Sequence, residues 1–155
     1  MKVPIRRILM PQLNQLAPDF TLPNQAGEHR TLSAFRGQPV VLYFYPKDDT
    51  PGCTVQACNY RDAMGELTSR GIKVFGISKD DVKSHAKFVA KFNLNFEILA
   101  DPDKTVLAAY DVLREGSMYG KPVTKVARTT FVIDKNGVLL ARLDDVNPET
   151  DVQNV

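Results

Sequence analysis

The run Pro39-Val-Val-Leu-Tyr-Phe-Tyr45 carries no charged residue and no polar alternation. A strand with one face in water would alternate apolar and polar side chains. A continuous β-branched and aromatic run instead suits a strand buried on both faces, which needs packed layers above and below it. A second such run, Ile72 to Ser78, follows a helical stretch, CTVQACNYRDAMGELTSRG, closed by Gly71. Glycine just past a helix end supplies the left-handed residue that stops the helix. Asp81 to Phe92 reads as another helix, Phe96 to Asp101 as a short strand, and Lys104 to Val112 as a further helix. Two apolar runs around Asn136-Gly137 then predict a closing antiparallel hairpin. Upstream, Ala17 to Gly37 reads as a small hairpin followed by a helical turn at Leu32 to Phe35. Strands alternating with helices predict an α/β fold: a central mixed sheet flanked by helices, with parallel crossovers and an N-terminal β-hairpin.

A chain of 155 residues accommodates one domain over 1–155, large enough for a core without disulfides or metal. Residues 1–15 read as an N-terminal arm in which Lys2, Arg6 and Arg7 are solvated. The tail from Asn147 opens like a helix, with Asn147 as N-cap and Pro148 at the first position, and stops at Val155 as though the C-terminal helix were truncated. A net charge of +2, with scattered Lys and Arg, argues against nucleic acid as a partner. The longest apolar run, Val40 to Tyr45, is far below the ~20 residues of a spanning helix, so no membrane association is expected. Two cysteines are too few for a disulfide scaffold, and a reducing, cytoplasmic setting is expected.

Both cysteines lie in one short stretch, YFYPKDDTPGCTVQAC, Tyr43 to Cys58. A turn entering a helix presents free N–H groups and the positive end of the helix dipole, which favour a thiolate. Cys53, behind Thr50-Pro51-Gly52, fits that position; the alternative is a buried cysteine acting as a small hydrophobe. Residues i and i+5 of a helix lie ~140° apart around the axis and ~7.5 Å apart along it, with Cα atoms about 8.6 Å apart. A disulfide tolerates at most ~7 Å, so pairing of Cys53 with Cys58 would require the first helical turns to open. Cys58 can equally be read as a core-facing residue near Val55. A zinc site with His29 and His85 lacks the paired ligand spacing such sites use.

The Tyr43 to Cys58 stretch, together with RTTFVIDKNG (Arg128 to Gly137), resembles a peroxiredoxin, and in particular the bacterioferritin-comigratory, or Q-type, branch. Ala17 to Gly37 and Phe96 to Val112 are similar to the same family, so the likeness runs from Leu16 to about Asp144. The resemblance implies a thioredoxin-like fold and a thiol-dependent peroxidase that acts on hydrogen peroxide and organic hydroperoxides without metal or other cofactor. By that likeness Cys53 is the peroxidatic thiol, which becomes a sulfenic acid. Cys58 is the resolving thiol, giving an intramolecular disulfide that thioredoxin or a similar dithiol protein reduces. Thr50 and Arg128 bind and polarise the peroxide, and Pro51, Gly52 and Tyr43 wall the substrate pocket. A monomer is expected. On bare sequence Arg128 would be a strand-edge salt bridge; only the likeness makes it a site residue.

Two functional rivals share the sequence: a disulfide-exchange or redox-sensing protein in the same fold, and a non-enzymatic binding module with structural cysteines. Neither explains Thr50-Pro51-Gly52 ahead of Cys53. Gly116 to Pro122 (GSMYGKP) lacks the spacing and the Ser or Thr of a phosphate loop. His29 and His85 are expected to be solvated. Asp48, Asp49, Asp80 and Asp81 are expected to cap turns and helix starts, and Asp101 and Asp103 form no calcium loop.

Overall fold

A computed structural model describes residues 11–155, apart from the side chain of Met118. The expectations for residues 1–10, including the Lys2, Arg6 and Arg7 cluster, lie outside the described residues. Strands β1 (Thr21–Pro23) and β2 (His29–Thr31) form the N-terminal hairpin, followed by a 3-10 turn at Leu32–Phe35. Then come β3 (Val40–Phe44), α1 (Pro51–Ser69), β4 (Lys73–Ser78), α2 (Val82–Phe92), β5 (Glu97–Ala100) and α3 (Thr105–Ala109). Strands β6 (Leu113–Met118) and β7 (Lys121–Val126) form a separate two-stranded hairpin. Finally β8 (Thr129–Ile133) and β9 (Leu139–Leu143) precede a 3-10 turn at Asp151–Asn154.

The central sheet has the order β5-β4-β3-β8-β9. Strand β3 is parallel to β4, and β4 to β5, through the crossovers α1 and α2; β8 and β9 run antiparallel. Strand β3 is central and every one of its residues is buried. Its alternation divides the core: Val40, Leu42 and Phe44 join Phe75, Ile77 and Phe131 on the side of the N-terminal hairpin. Val41, Tyr43 and Tyr45 join Cys53, Tyr60, Phe88 and Ile98 on the side of α1 and α2. The seven-residue apolar run thus supplies both layers.

Helix ends follow their residues. Gly71, at φ +73°, closes α1 with Ile72 N–H bonded to the Leu67 carbonyl. Asp81 caps α2 by accepting from Ser84 N–H, and Asn93 ends it in the left-handed region. The Asp101 carboxylate accepts from Leu107 N–H at the start of α3. At the N-terminal end of the described chain, Asn14 to Ala17 bond along the start of β9, with Leu16 bridged to Val138. The tail forms a 3-10 turn from Asp151 in place of a helix opening at Pro148. No helix among the described residues is long and apolar enough to cross a membrane.

The hairpin β6–β7 is the one element pair the sequence reading does not contain. Its two-residue loop, Tyr119-Gly120, has φ +54° and +77°, the geometry of a type I′ turn. Tyrosine replaces the usual Asn or Asp there, and both faces of the hairpin are largely polar, so no alternation marks it.

Candidate active site

Helix α1 begins at Pro51, two residues before the start expected at Cys53. Thr50 is the N-cap in extended conformation, and Pro51 occupies N1, where its missing N–H leaves nothing unsatisfied. Cys53 is therefore N3. The first helical bond runs from Thr54 N–H to the Thr50 carbonyl at 2.8 Å, leaving the Gly52 and Cys53 amides without an intrahelical acceptor. Negative charge is most favoured at this end of the dipole.

The Cys53 residue is 1 % exposed and packs in the cluster with Tyr43, Ala57 and Tyr60. Arg128, one residue ahead of β8, places Nη2 3.1 Å from the Cys53 Sγ and donates from Nη1 to the Gln56 Oε1 at 2.9 Å. Both ends of the guanidinium are thus held, and its partners are a sulfur and an amide. The strand-edge salt bridge that bare sequence favoured for Arg128 is not formed among the described residues. The guanidinium lies so close over residue 52 that a Cβ there would meet Nη2 at 2.8 Å. Gly52 is a requirement of this approach.

The remaining predicted residues take up distinct places. Thr50 is half-buried, and its hydroxyl donates to the Lys47 carbonyl at 3.0 Å. Pro51 is exposed at the helix tip. Tyr43 is buried on β3, stacked on Tyr60 with ring centroids 4.5 Å apart. Its hydroxyl has no hydrogen-bond partner among the described residues and lies across Gly76, where a Cβ would meet it at 2.9 Å. Burial pushes the Tyr43 phenol well above its ordinary range, reinforced by the charge a thiolate at Cys53 carries. Tyr60 is pushed up likewise, by burial and then by Asp151, so both phenols stay neutral. Cys58 is half-buried further along α1, and neither cysteine is in a disulfide.

Three features escaped the sequence reading. Gln56 is the first, fully buried between Arg128 and the tail. Asp151 is the second: it is 0 % exposed, and its Oδ2 accepts from Gln56 Nε2, Tyr60 O–H and Thr130 O–H at 3.1, 2.7 and 2.8 Å. The third corrects an expectation. His85 is buried, not solvated, with Nδ1 2.6 Å from Asp48 Oδ2 and Nε2 2.9 Å from the Leu99 carbonyl. A carbonyl only accepts, so Nε2 carries a hydrogen. Asp48 also accepts from Tyr45 O–H and Ser84 O–H, which makes it a buried anchor of the loop before α1 rather than a cap. A signal for His85 existed: Val82, His85, Phe88 and Phe92 fall on one stripe of α2. His29 is exposed on β2, far in the topology from both cysteines.

A family model, the AhpC/TSA family, matches residues 13–142. The peroxiredoxin Bcp of Escherichia coli K12 is 45% identical over 130 residues, covering 84% of this chain and 83% of that protein. The solved bacterioferritin comigratory protein of Xanthomonas campestris superposes with TM-score 0.83 at 35% identity, over 87% of this chain and 86% of that one. A cysteine mutant of Xylella fastidiosa PrxQ gives TM-score 0.87 at 28% identity, over 93% and 92%. A thiol at a helix N-terminus under an arginine, on a thioredoxin-like sheet, therefore has a family: this chain belongs to the AhpC/TSA family, among the thiol peroxidases of the Bcp/PrxQ peroxiredoxin group.

Proposed function

We propose that this chain reduces hydroperoxides by a two-cysteine cycle in which Cys53 is the peroxidatic and Cys58 the resolving thiol. The observation that carries the reading is the Arg128 Nη2 to Cys53 Sγ contact of 3.1 Å at the N-terminus of α1. In the first step the Cys53 thiolate attacks one oxygen of the peroxide. An S–O bond forms, the O–O bond breaks, and the leaving alkoxide or hydroxide takes a proton from water, leaving a sulfenic acid on Cys53. Thiolate content alone cannot make this fast, because nucleophilicity falls as a thiol becomes more acidic. Stabilising the charge that develops on the leaving oxygen contributes more, and one preorganised donor is worth ~2.7–4 kcal/mol. Arg128 is that donor. The Thr50 hydrogen is directed to the Lys47 carbonyl, so its oxygen serves better as an acceptor that orients the peroxide O–H than as the polarising donor expected from sequence. Pro51 and Gly52 line the approach, and Tyr43 closes the pocket floor from β3.

In the second step the Cys58 sulfur attacks the Cys53 sulfenic acid, an S–S bond forms and water leaves. Both residues sit in one uninterrupted helix, where their Cα atoms are ~8.6 Å apart, so α1 must open over its first turns. Thioredoxin or a similar dithiol protein then returns both thiols to the reduced state. The bond is intrachain, so a monomer suffices for the cycle. Organic hydroperoxides are included among the substrates because the related Xanthomonas campestris protein is described by its alkyl peroxide reduction activity.

The test is the mass of the reduced protein after one equivalent of peroxide. The wild type is expected to lose two hydrogens, and Cys58→Ser to gain one oxygen. Turnover retained in Cys53→Ser overturns the assignment.

A further inference from the structure

We infer that Asp151, in the segment after β9, is a positioning residue for Arg128, acting through the side chain of Gln56; the inference rests on the peroxidase reading above. Gln56 has two unlike ends. Its Nε2 donates to Asp151 Oδ2 at 3.1 Å, and its Oε1 accepts from Arg128 Nη1 at 2.9 Å. An amide rotated by half a turn would set its NH2 against a guanidinium and its oxygen against a carboxylate. An ionised carboxylate only accepts hydrogen bonds, so Asp151 selects the one orientation that offers oxygen to Arg128. With Nη1 held there, Nη2 stays 3.1 Å from the sulfur.

The rest of the carboxylate's surroundings fit a residue kept for orientation rather than stability. Tyr60 on α1 and Thr130 on β8 donate to the same oxygen, which pins Asp151 between the catalytic helix and the strand that follows Arg128. Among the described residues, Oδ1 is buried with no hydrogen-bond partner. An unpartnered oxygen on a fully buried carboxylate is costly, and such groups call for an explanation other than folding. The segment is fixed to α1 besides: Asn59 Nδ2 donates to the Glu149 carbonyl at 2.9 Å, and Val152 and Val155 pack on the cluster that holds Cys53. It also reaches the site itself, with Pro148 Cγ 3.6 Å from where a Cβ on Gly52 would be.

Asn at position 151 keeps the shape but can donate as well as accept, which removes the selection of the amide orientation. Two second-order rates separate positioning from folding: reaction of the reduced thiol with hydrogen peroxide, and its alkylation by iodoacetamide, whose leaving group needs no oxyanion donor. Removing a whole donor of this kind lowers a rate ~10²–10³-fold, so loosening one is expected to lower the peroxide rate about tenfold. Alkylation in Asp151→Asn is expected to stay within about twofold of the wild type. Gln56→Ala and the double variant complete a cycle. If Asp151 acts through Gln56, adding Asp151→Asn to Gln56→Ala changes the peroxide rate no further. An unchanged peroxide rate in Asp151→Asn, an equal fall in both reactions, or additive losses in the double variant overturns the inference. Wild-type protein whose Cys53 is inert to peroxide would instead overturn the peroxidase reading.

Discussion

Gly52→Ala separates what stabilises α1 from what the active site needs. The added Cβ would stand 2.8 Å from Arg128 Nη2, where ordinary carbon–nitrogen contact begins near 3.4 Å, so the guanidinium must move by about 0.6 Å. Its bond to the Cys53 sulfur is 3.1 Å long, and a hydrogen bond to sulfur survives a shift of that size, but the guanidinium is no longer aimed where charge develops on the leaving oxygen. If half of one preorganised donor's ~2.7–4 kcal/mol is lost, the barrier to peroxide attack rises by ~1.4–2 kcal/mol, a ten- to thirtyfold slower rate. The helix responds in the opposite sense. Residue 52 has ordinary negative φ in the first turn of α1, and Ala is preferred over Gly in a helix by up to ~1 kcal/mol. Stopped-flow consumption of the Cys53 thiol by hydrogen peroxide is measured beside urea unfolding. The expected outcome is the slower rate with an unfolding midpoint equal to or above that of the wild type. A peroxide rate within twofold of the wild type refutes the reasoning, as does a stability loss above ~2 kcal/mol, which would mean the helix and not Arg128 gave way.

Among the described residues, His85→Leu leaves buried Asp48 with Tyr45 and Ser84 as its side-chain donors, and removing one hydrogen-bond partner of a buried carboxylate costs ~1–3 kcal/mol. Urea unfolding checks it, and a loss under ~1 kcal/mol would show that the pair is not an anchor. Glu97 gives an acid-side prediction. Burial opposes its charged form, but hydrogen bonds from Lys73, Asn24 and Arg30 outweigh that and hold its carboxyl below the ordinary 4.5. Its contribution is therefore present above the ordinary value and lost as pH falls through the depressed folded one. Glu97→Gln is expected to be less stable at pH 7 and to lose less stability than the wild type between pH 5 and 3. Parallel acid-denaturation curves for the two proteins would contradict this.

What the sequence showed and what it hid divide along a physical line. Elements that bury a continuous face were readable: β3 and β4 by unbroken apolar runs, α1 by the glycine that stops it, and the β8–β9 hairpin by Asn136-Gly137. The β6–β7 hairpin was not, because neither of its faces is predominantly apolar and its turn begins with tyrosine. Cys53, Thr50 and Pro51 are neighbours in the chain, so a local motif could single them out as candidates. Arg128 is 75 residues from Cys53, and only the family likeness marked it. Gln56 shows no more than a polar residue on a helix, and Asp151 lies 95 residues from it. Their juxtaposition is a product of the folded topology, which no local pattern encodes. Asp48 with His85 is the intermediate case, since the apolar stripe of α2 did carry the histidine inward.

Placing both thiols on one rigid rod also sets a clock. In the proposed cycle, a Cys53 that carries oxygen is out of reach of Cys58 until the rod frays, and during that wait a second oxidant molecule can add another oxygen, a step most proteins cannot reverse. On that cycle the tightness of the first turns of α1 would set how much oxidant the protein survives: a firmer coil would lengthen the exposed interval, and a looser one would shorten it while spoiling the pose from which the sulfur attacks.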